Sequence, residues 1–401
     1  HYGVEGSLSR TRTGEASIFV SRLRPLSKAL SAIPIGKEKD GETFNALSDV
    51  ETRYRHRHLD LLANPEGRKT LLDRARIVSA VRRYFDELGY LEVETPLLQL
   101  EAGGASARPF QTHYNAYDID VKLRISLELY LKRIICGDVP AVYEVGRVFR
   151  NEGVSNRHNP EFTLLEFYEA YADLETMMER TEGVFRAVSR MLGTSPVDFE
   201  KPWRRLDLLT AIEEATGLTR ADLSDFEVAK ARAAELGVPA KARAAGGAID
   251  LASERNLGGL IEKLLEVFIE PGLQEPTFVV GYPIETSPLA KKDPSDPRMT
   301  RRFEGYVLGR EVCNAFSEIN DPLDQRERFE QQAREAAKGD DEAHPLDEEF
   351  LAALESGMPP TGGCGIGIDR MAMLLTGAEQ IREVLFFPFM RPKTNEAPAA
   401  E

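Results

Sequence analysis

Ala141-Val-Tyr-Glu-Val-Gly-Arg-Val-Phe-Arg150 and Phe162-Thr-Leu-Leu-Glu-Phe-Tyr-Glu-Ala170 read as two strands, joined by a polar loop, 151–160, that contains Glu152, Arg157 and His158. Paired strands with such a loop send charged side chains toward a common site, so this stretch predicts a sheet that carries the chemistry. Upstream, in 69–88, the apolar residues Leu71, Leu72, Ala75, Val78, Val81 and Phe85 recur at helical spacing, and Gly89 stands where a helix stops. Tyr90-Leu-Glu-Val-Glu-Thr-Pro96 follows as a short strand that Pro96 cuts off or forces to a sheet edge. Further upstream, 4–23 alternates apolar and polar residues around Thr13 and Gly14, as a hairpin does, and 36–45 reads as a polar linker. Two strands close no core of their own.

Downstream, 224–270 reads as Ala-rich helix with a structural role, and strands are expected at 277–280 and 303–316. An acidic helical stretch follows over 321–354. Gly362-Gly-Cys-Gly-Ile-Gly-Ile-Asp-Arg370 then leads into an apolar helix start at Met371. The Ala-Pro-Glu tail, 395–401, is expected to be disordered.

Composition suits this plan. A chain of 401 residues, 42% hydrophobic and 29% charged, has room for one large domain and a smaller one. No segment approaches the roughly 20 apolar residues that span a bilayer, which argues against a membrane protein. Residues 1–10 have no basic start followed by an apolar run, so no signal peptide is expected, and the missing initial Met suggests that the true N-terminus lies upstream. Cys136, Cys313 and Cys364 are odd in number and lack metal-ligand spacing, which fits a reducing cytoplasm. The net charge of −15 runs against the basic excess of many nucleic-acid binders. Near the start, however, Arg10, Arg12, Arg22, Arg24 and Lys28 outnumber Glu5 and Glu15.

The glycine-rich segment fits neither the dinucleotide fingerprint nor the P-loop. Its informative residue is Arg370: an arginine at a strand-to-helix junction, reached through glycines, suits a bidentate phosphate clamp.

Three separated segments resemble the three signature motifs of class II aminoacyl-tRNA synthetases. The first is the helix ending in Gly89-Tyr-Leu-Glu-Val-Glu-Thr-Pro96. The second runs from Phe149-Arg-Asn-Glu-Gly153 through Arg157-His-Asn-Pro-Glu-Phe162, and the third is Gly365-Ile-Gly-Ile-Asp-Arg370. Between them, Gly103-Gly-Ala-Ser-Ala-Arg-Pro-Phe110, Glu128-Leu-Tyr-Leu-Lys-Arg133, Glu166-Phe-Tyr-Glu-Ala-Tyr-Ala-Asp173, Ser287-Pro-Leu-Ala-Lys291 and Cys313-Asn-Ala-Phe-Ser-Glu-Ile-Asn-Asp-Pro322 resemble the lysyl branch of that family. Its aspartyl and asparaginyl relatives differ in these words.

The resemblance implies an α+β fold, a largely antiparallel sheet flanked by helices over 61–394, with a homodimer interface on the motif 1 helix. It implies that 1–34 is the end of an OB-fold anticodon-binding domain and that 35–60 is a linker. Substrates would be ATP, L-lysine and the lysine tRNA, with Mg²⁺ as cofactor. A free lysine presents one carboxylate and two ammonium groups, each needing an opposite charge in a closed pocket. By the resemblance Arg150 holds the carboxylate, Glu128 and the Gly104 backbone receive the α-ammonium, and Glu318 with Tyr168 receives the ε-ammonium. Asn314, Glu166 and Phe316 complete the pocket. For ATP, Phe162 stacks on adenine, Arg150, Arg157 and Arg370 meet phosphates, His158 and Glu152 lie in the motif 2 loop, and Glu304 and Glu311 bind Mg²⁺. Glu15 stands where the family has an anticodon contact. One departure, Ser126-Leu127 where the lysyl branch commonly has Ala-Pro, implies a looser hold on Glu128. Two other functions compete with this one: a truncated paralogue that lysylates a translation factor, and a non-catalytic regulatory protein on a synthetase fold. The residual barrel strands argue against the first, and retention of Arg150, Glu304, Glu311 and Arg370 against the second.

Overall fold

The computed structural model describes residues 1–31, 33–34, 36–39, 42–44, 47–236, 251, 254–336 and 346–392. The expected tail at 395–401 lies outside them. The chain forms two compact units, His1–Arg68 and Lys69–Glu401.

In the first unit, β1 (Tyr2–Arg10) and β2 (Ala16–Pro25) form the expected antiparallel hairpin, with Gly14 at φ 86° in its turn. A second, short pair, β3 (Lys37–Lys39) and β4 (Glu42–Phe44), occupies the expected linker. So do α1 (Val50–Arg55) and much of α2 (Arg57–Ala63), so the stretch taken as linker carries regular structure. The buried Asp60 carboxylate explains why α2 forms there: it accepts from Arg53 at 2.6 Å and Arg57 at 2.7 Å, which hold its pKa down despite burial.

The helix α3 (Pro65–Glu87) runs into the second unit and buries Leu71, Ile77, Ala80, Val81 and Phe85 on one stripe. Gly89, at φ 81°, ends that run, and Phe85 stacks on Tyr143 with ring centroids 5.2 Å apart. Then come β5 (Leu91–Glu92), β6 (Leu98–Gln99), β7 (Gln111–Tyr114), β8 (Ile119–Leu123), α4 (Glu128–Cys136), β9 (Ala141–Phe149), β10 (Glu161–Ala170) and α5 (Leu174–Leu192). Next are β11 (Arg204–Asp207), α6 (Leu208–Thr216), α7 (Phe226–Ala234), α8 (Leu257–Leu264), β12 (Thr277–Pro283), β13 (Met299–Tyr306) and β14 (Glu311–Ser317). The unit closes with α9 (Pro322–Ala336), α10 (Glu348–Glu355), β15 (Thr361–Gly367) and α11 (Ile368–Thr376).

The central sheet has the order β11-β12-β13-β14-β15-β10-β9-β5. Its inner pairs are antiparallel and only the outermost pairs, β11 with β12 and β5 with β9, are parallel. Pro96 follows the edge strand β5, where its missing N–H removes no ladder bond. The expected strand over 303–316 is two strands, because Leu308 and Gly309 both take positive φ and turn the chain back. Within 224–270 and 321–354 the described residues include the expected helices, and 237–250, 252–253 and 337–345 lie outside the described residues. One face of the sheet shares a core with α3 and α5, through Phe85, Tyr143, Phe167, Phe185 and Ile366. Among the described residues no helix is long and apolar enough to cross a membrane.

Candidate active site

Strand alternation sorts the sheet into a dry face and a chemical one. On β10, Leu165 and Phe167 enter the core, so Phe162, Leu164, Glu166 and Tyr168 point the other way. All four line a cavity of about 430 Å³. On β14, Ala315 is in the core while Asn314 and Phe316 line the cavity. Between these strands, β15 turns Cys364 and Ile366 inward and presents Gly363, Gly365 and Gly367 to the cavity. Glycine at every second position leaves that floor as bare backbone. At Gly363 the gap is already filled, since a Cβ there would collide with Glu318 Oε1 and the Tyr168 ring.

At one end of the cavity three buried carboxylates meet. Glu128, on the first turn of α4, receives Lys132 Nζ at 2.7 Å, and the same ammonium reaches Glu318 Oε2 at 2.7 Å. The other Glu318 oxygen, Oε1, is buried with no hydrogen-bond partner among the described residues. Glu166 accepts from Ser126 Oγ at 2.8 Å, from the Leu127 N–H at 3.1 Å and from Tyr168 OH at 3.0 Å. Ser126 also accepts from the Glu128 N–H at 3.1 Å. The departure expected to loosen Glu128 therefore adds a hydrogen-bonded link between Glu128 and Glu166. Gly104, at φ 89°, packs so close that a Cβ would stand 2.9 Å from Ser126 Oγ.

Burial and mutual repulsion disfavour charge here. The Glu166 carboxyl is pushed up to about 7 by burial and then by Glu128. Glu318 is pushed well above the carboxylate range by burial, and Lys132 only partly offsets this. Burial pulls the Lys132 ammonium down, but Glu128 and Glu318 outweigh it and hold the charge.

The other end is cationic and partly open. The Arg150 guanidinium lies 5.2 Å over the Phe162 ring, and its Nε reaches the Ile125 carbonyl at 3.4 Å. Arg370, on the first turn of α11, pairs with Glu311 at 2.7 Å, which raises its pKa. Glu152, Arg157 and His158 sit on the exposed motif 2 loop. There His158 Nδ1 meets Ser155 Oγ at 2.8 Å, and its Nε2 lies 3.4 Å from Arg370. Burial and the Arg370 charge lower the His158 pKa, so the ring is neutral near pH 7. Glu304, half-buried on β13, accepts from Arg302 at 2.6 Å, Tyr282 at 2.9 Å and Tyr306 at 2.5 Å. Burial and then the nearby Glu311 push its pKa up against the pull of Arg302.

The cavity wall thus unites Gly104, Glu128, Arg150, Glu152, Arg157, His158, Phe162, Glu166, Tyr168, Glu311, Asn314, Phe316 and Arg370. Glu318 and Glu304 are not part of that wall: Glu318 touches it through Gly363 and Tyr168, and Glu304 through Arg302. Glu15 belongs to the first unit, exposed in the turn after β1. Sequence reading missed Lys132, Arg302 and Asp369, and took Ser126 only as a departure that loosens the hold on Glu128. Lys132 had a signal, the i,i+4 spacing from Glu128 on a helix. Asp369 accepts from Arg74 of α3 at 2.6 Å and from the Thr163 N–H at 2.7 Å, tying the first motif to the second and third.

Residues 49–391 match the pattern of the tRNA synthetases class II (D, K and N). The chain is 49% identical over 407 residues to the lysine–tRNA ligase of Halalkalibacterium halodurans, covering 100% of the chain and 77% of that relative. It is 48% identical to those of Enterococcus faecalis, over 97% of the chain and 76% of the relative, and of Carboxydothermus hydrogenoformans, over 98% and 78%. Motifs, sheet and relatives agree, and the chain belongs to the class II tRNA synthetases of the D, K and N group, within its lysine–tRNA ligase family.

Proposed function

We propose that the cavity of the second unit activates L-lysine with ATP, the first half of a lysine–tRNA ligase reaction, and presents the product to the lysine tRNA. The observation that carries the lysine assignment is the buried, unpartnered Glu318 Oε1, which lies directly behind Gly363 and Tyr168 where they line the far end of a cavity whose mouth is cationic. An unpaired buried acceptor is costly, and a ligand ammonium reaching it supplies the missing donor. Glu128 with the Gly104 backbone receives the α-ammonium, Glu166 and Asn314 line the path, and Phe316 packs beside the aliphatic chain. Arg150 holds the lysine carboxylate against the α-phosphate, while Phe162 stacks on adenine. Arg157, His158, Glu152 and Arg370 face the remaining phosphates.

The attacking carboxylate is already an anion, so the step needs positioning and charge screening rather than a general base. Glu304 and Glu311 fit a divalent cation by donor type, being neighbouring hard oxygen donors whose repulsion a cation would relieve. Mg²⁺, when bound, would offset charge on the phosphates. Among the described residues no cluster of three or more His, Cys, Asp or Glu has metal-holding geometry, and Glu304 and Glu311 are the two carboxylates that would hold the ion. The hairpin of 1–34 fits the end of an anticodon-binding domain, with Glu15 on its turn. Exposed Leu72 on α3, with exposed Leu97, Leu98 and Leu100 in the segment that follows β5, supports a homodimer that includes the motif 1 helix, and the buried free Cys313 and Cys364 support a reducing, cytoplasmic setting. Sedimentation as a monomer at micromolar concentration would remove the dimer.

Lysine-dependent pyrophosphate exchange tests the reading. Exchange is expected with Mg²⁺ and without tRNA, and is expected to vanish when a chelator removes the metal. Its pH dependence follows from Glu166. The raised pKa leaves that carboxyl protonated below about 7 in the empty pocket, where the proton competes with the ligand ammonium. The kcat/KM for lysine should therefore plateau above about pH 7 and fall about tenfold per unit below it. A profile flat down to about pH 5.5 would show that no buried carboxylate must ionise.

A further inference from the structure

The pocket contains a lysine of its own. Lys132 is fully buried, with Nζ at 2.7 Å from both Glu128 and Glu318, the two carboxylates assigned to the two ammonium groups of the substrate. Its remaining surroundings are the faces of Phe350 and Phe316, 5.3 and 6.0 Å from the ring centroids, together with Cys136 one turn along α4. An internal ammonium touching both acceptors uses up one oxygen of each and leaves Glu318 Oε1 free.

We infer that Lys132 is a positioning and specificity-determining residue, the fixed cation that sets the charge of the pocket so that only a ligand with two ammonium groups neutralises it. The inference rests on the lysine-pocket reading above. Glu128, Glu166 and Glu318 together carry three negative charges when ionised, and Lys132 returns one positive charge. Two negative charges remain for the α- and ε-ammonium groups, since Arg150 takes the substrate carboxylate. An amino acid with a neutral side chain leaves one buried carboxylate unpaired and is rejected on charge as well as shape. Without Lys132 three carboxylates would face two ammonium groups, and one of them would take up a proton instead.

Lys132 also fixes geometry. Its two contacts join α4 to the end of β14, so Glu128 and Glu318 stay a set distance apart, and the pocket measures the length between the two ammonium groups. Every charged or titratable group facing this end enters the argument: Glu128, Lys132 and Cys136 from α4, Glu166 and Tyr168 from β10, Glu318 after β14, and Arg302 from β13, whose charge also acts on Glu128.

The test is Lys132→Met, close in volume and without charge, read by lysine-dependent pyrophosphate exchange across pH on the whole chain. The expected result is a fall of roughly ten- to a hundredfold in kcat/KM for lysine near neutrality, together with a move of the acid limb to higher pH by at least about one unit. ATP affinity measured without lysine stays as in the parent. A loss of activity with the acid limb in place would reduce Lys132 to packing, and an unchanged kcat/KM would remove it from the site. If Lys132→Met fails to fold, Lys132→Arg keeps the charge in a larger head: KM is expected to rise with the limb unmoved, and a moved limb would overturn the inference. Failure of the parent itself to respond to lysine would instead refute the pocket reading.

Discussion

Glu318→Gln is expected to lower lysine activation by roughly two to four orders of magnitude, because breaking a buried charge pair from one side costs on the order of 3–5 kcal/mol. The change keeps the shape and leaves an amide oxygen for Lys132, which lies 2.7 Å from Glu318 Oε2. What disappears is the charge on Oε1, the acceptor left without a partner behind Gly363 and Tyr168. ATP binding stays near the parent value, since Phe162, Arg157 and Arg370 lie at the other end. Stability has two opposed contributions. The folded-state pKa of Glu318 lies well above its ordinary value, so ionising it costs folding energy once the pH exceeds that ordinary value, and glutamine removes this cost. Glutamine also removes a charge that holds the Lys132 ammonium ionised, so the thermal midpoint near neutrality should change far less than the activity. Lysine activation within a few-fold of the parent would mean that the ε-ammonium goes elsewhere. A large drop in melting temperature would mark Glu318 as a structural residue.

Gly363→Ala is expected to be nearly as damaging from a single methyl group. That methyl would stand on Glu318 Oε1 and on the ring of the buried Tyr168, and neither has room to retreat: Tyr168 is held by Glu166 at 3.0 Å and Glu318 by Lys132. Overpacking of this kind costs typically 1–3 kcal/mol of stability. Displacing the acceptor by about 1 Å costs on the order of a hundredfold in activation. Gly365→Ala serves as the comparison on the same strand face, because its nearest neighbour, Glu166 Cγ, is at an ordinary 3.7 Å. The measurement is lysine KM and melting temperature for both variants. Equal effects at 363 and 365 would show that the strand tolerates no side chain anywhere on this face, and the specific link to Glu318 would be lost.

The fold was legible where pattern and period coincide. The β9–β10 pair and the strand-to-helix turn at Arg370 emerged within a residue or two, and the helix α3 emerged with its end one residue off but its start four residues late, because each rests on a local period or on a glycine with a defined task. The run 303–316 was misread as one strand because its turn is built on Leu308 at positive φ, a conformation that a leucine does not announce. Most of the site became legible through resemblance, since Glu304, Glu311 and Glu318 taken singly read as surface charges. What stayed hidden was the tertiary part. Ser126 acts through a contact with Glu166, forty residues away, and Lys132 with Glu318, 186 residues away. Glycines 363, 365 and 367 were read only as the close approach that leads to Arg370. Their alternation in a strand, which hollows the floor of the cavity, becomes visible only once β15 is placed between β10 and β14.

The most direct test of the lysine pocket is a crystal structure of the chain with L-lysine bound. The expected result is the ligand carboxylate at Arg150, the α-ammonium at Glu128 and Gly104, and the ε-ammonium within about 3 Å of Glu318 Oε1 and beside Tyr168, with the Lys132 contacts intact. Lysine seated in the reverse sense, or Glu318 Oε1 still without a donor in the occupied pocket, would contradict it.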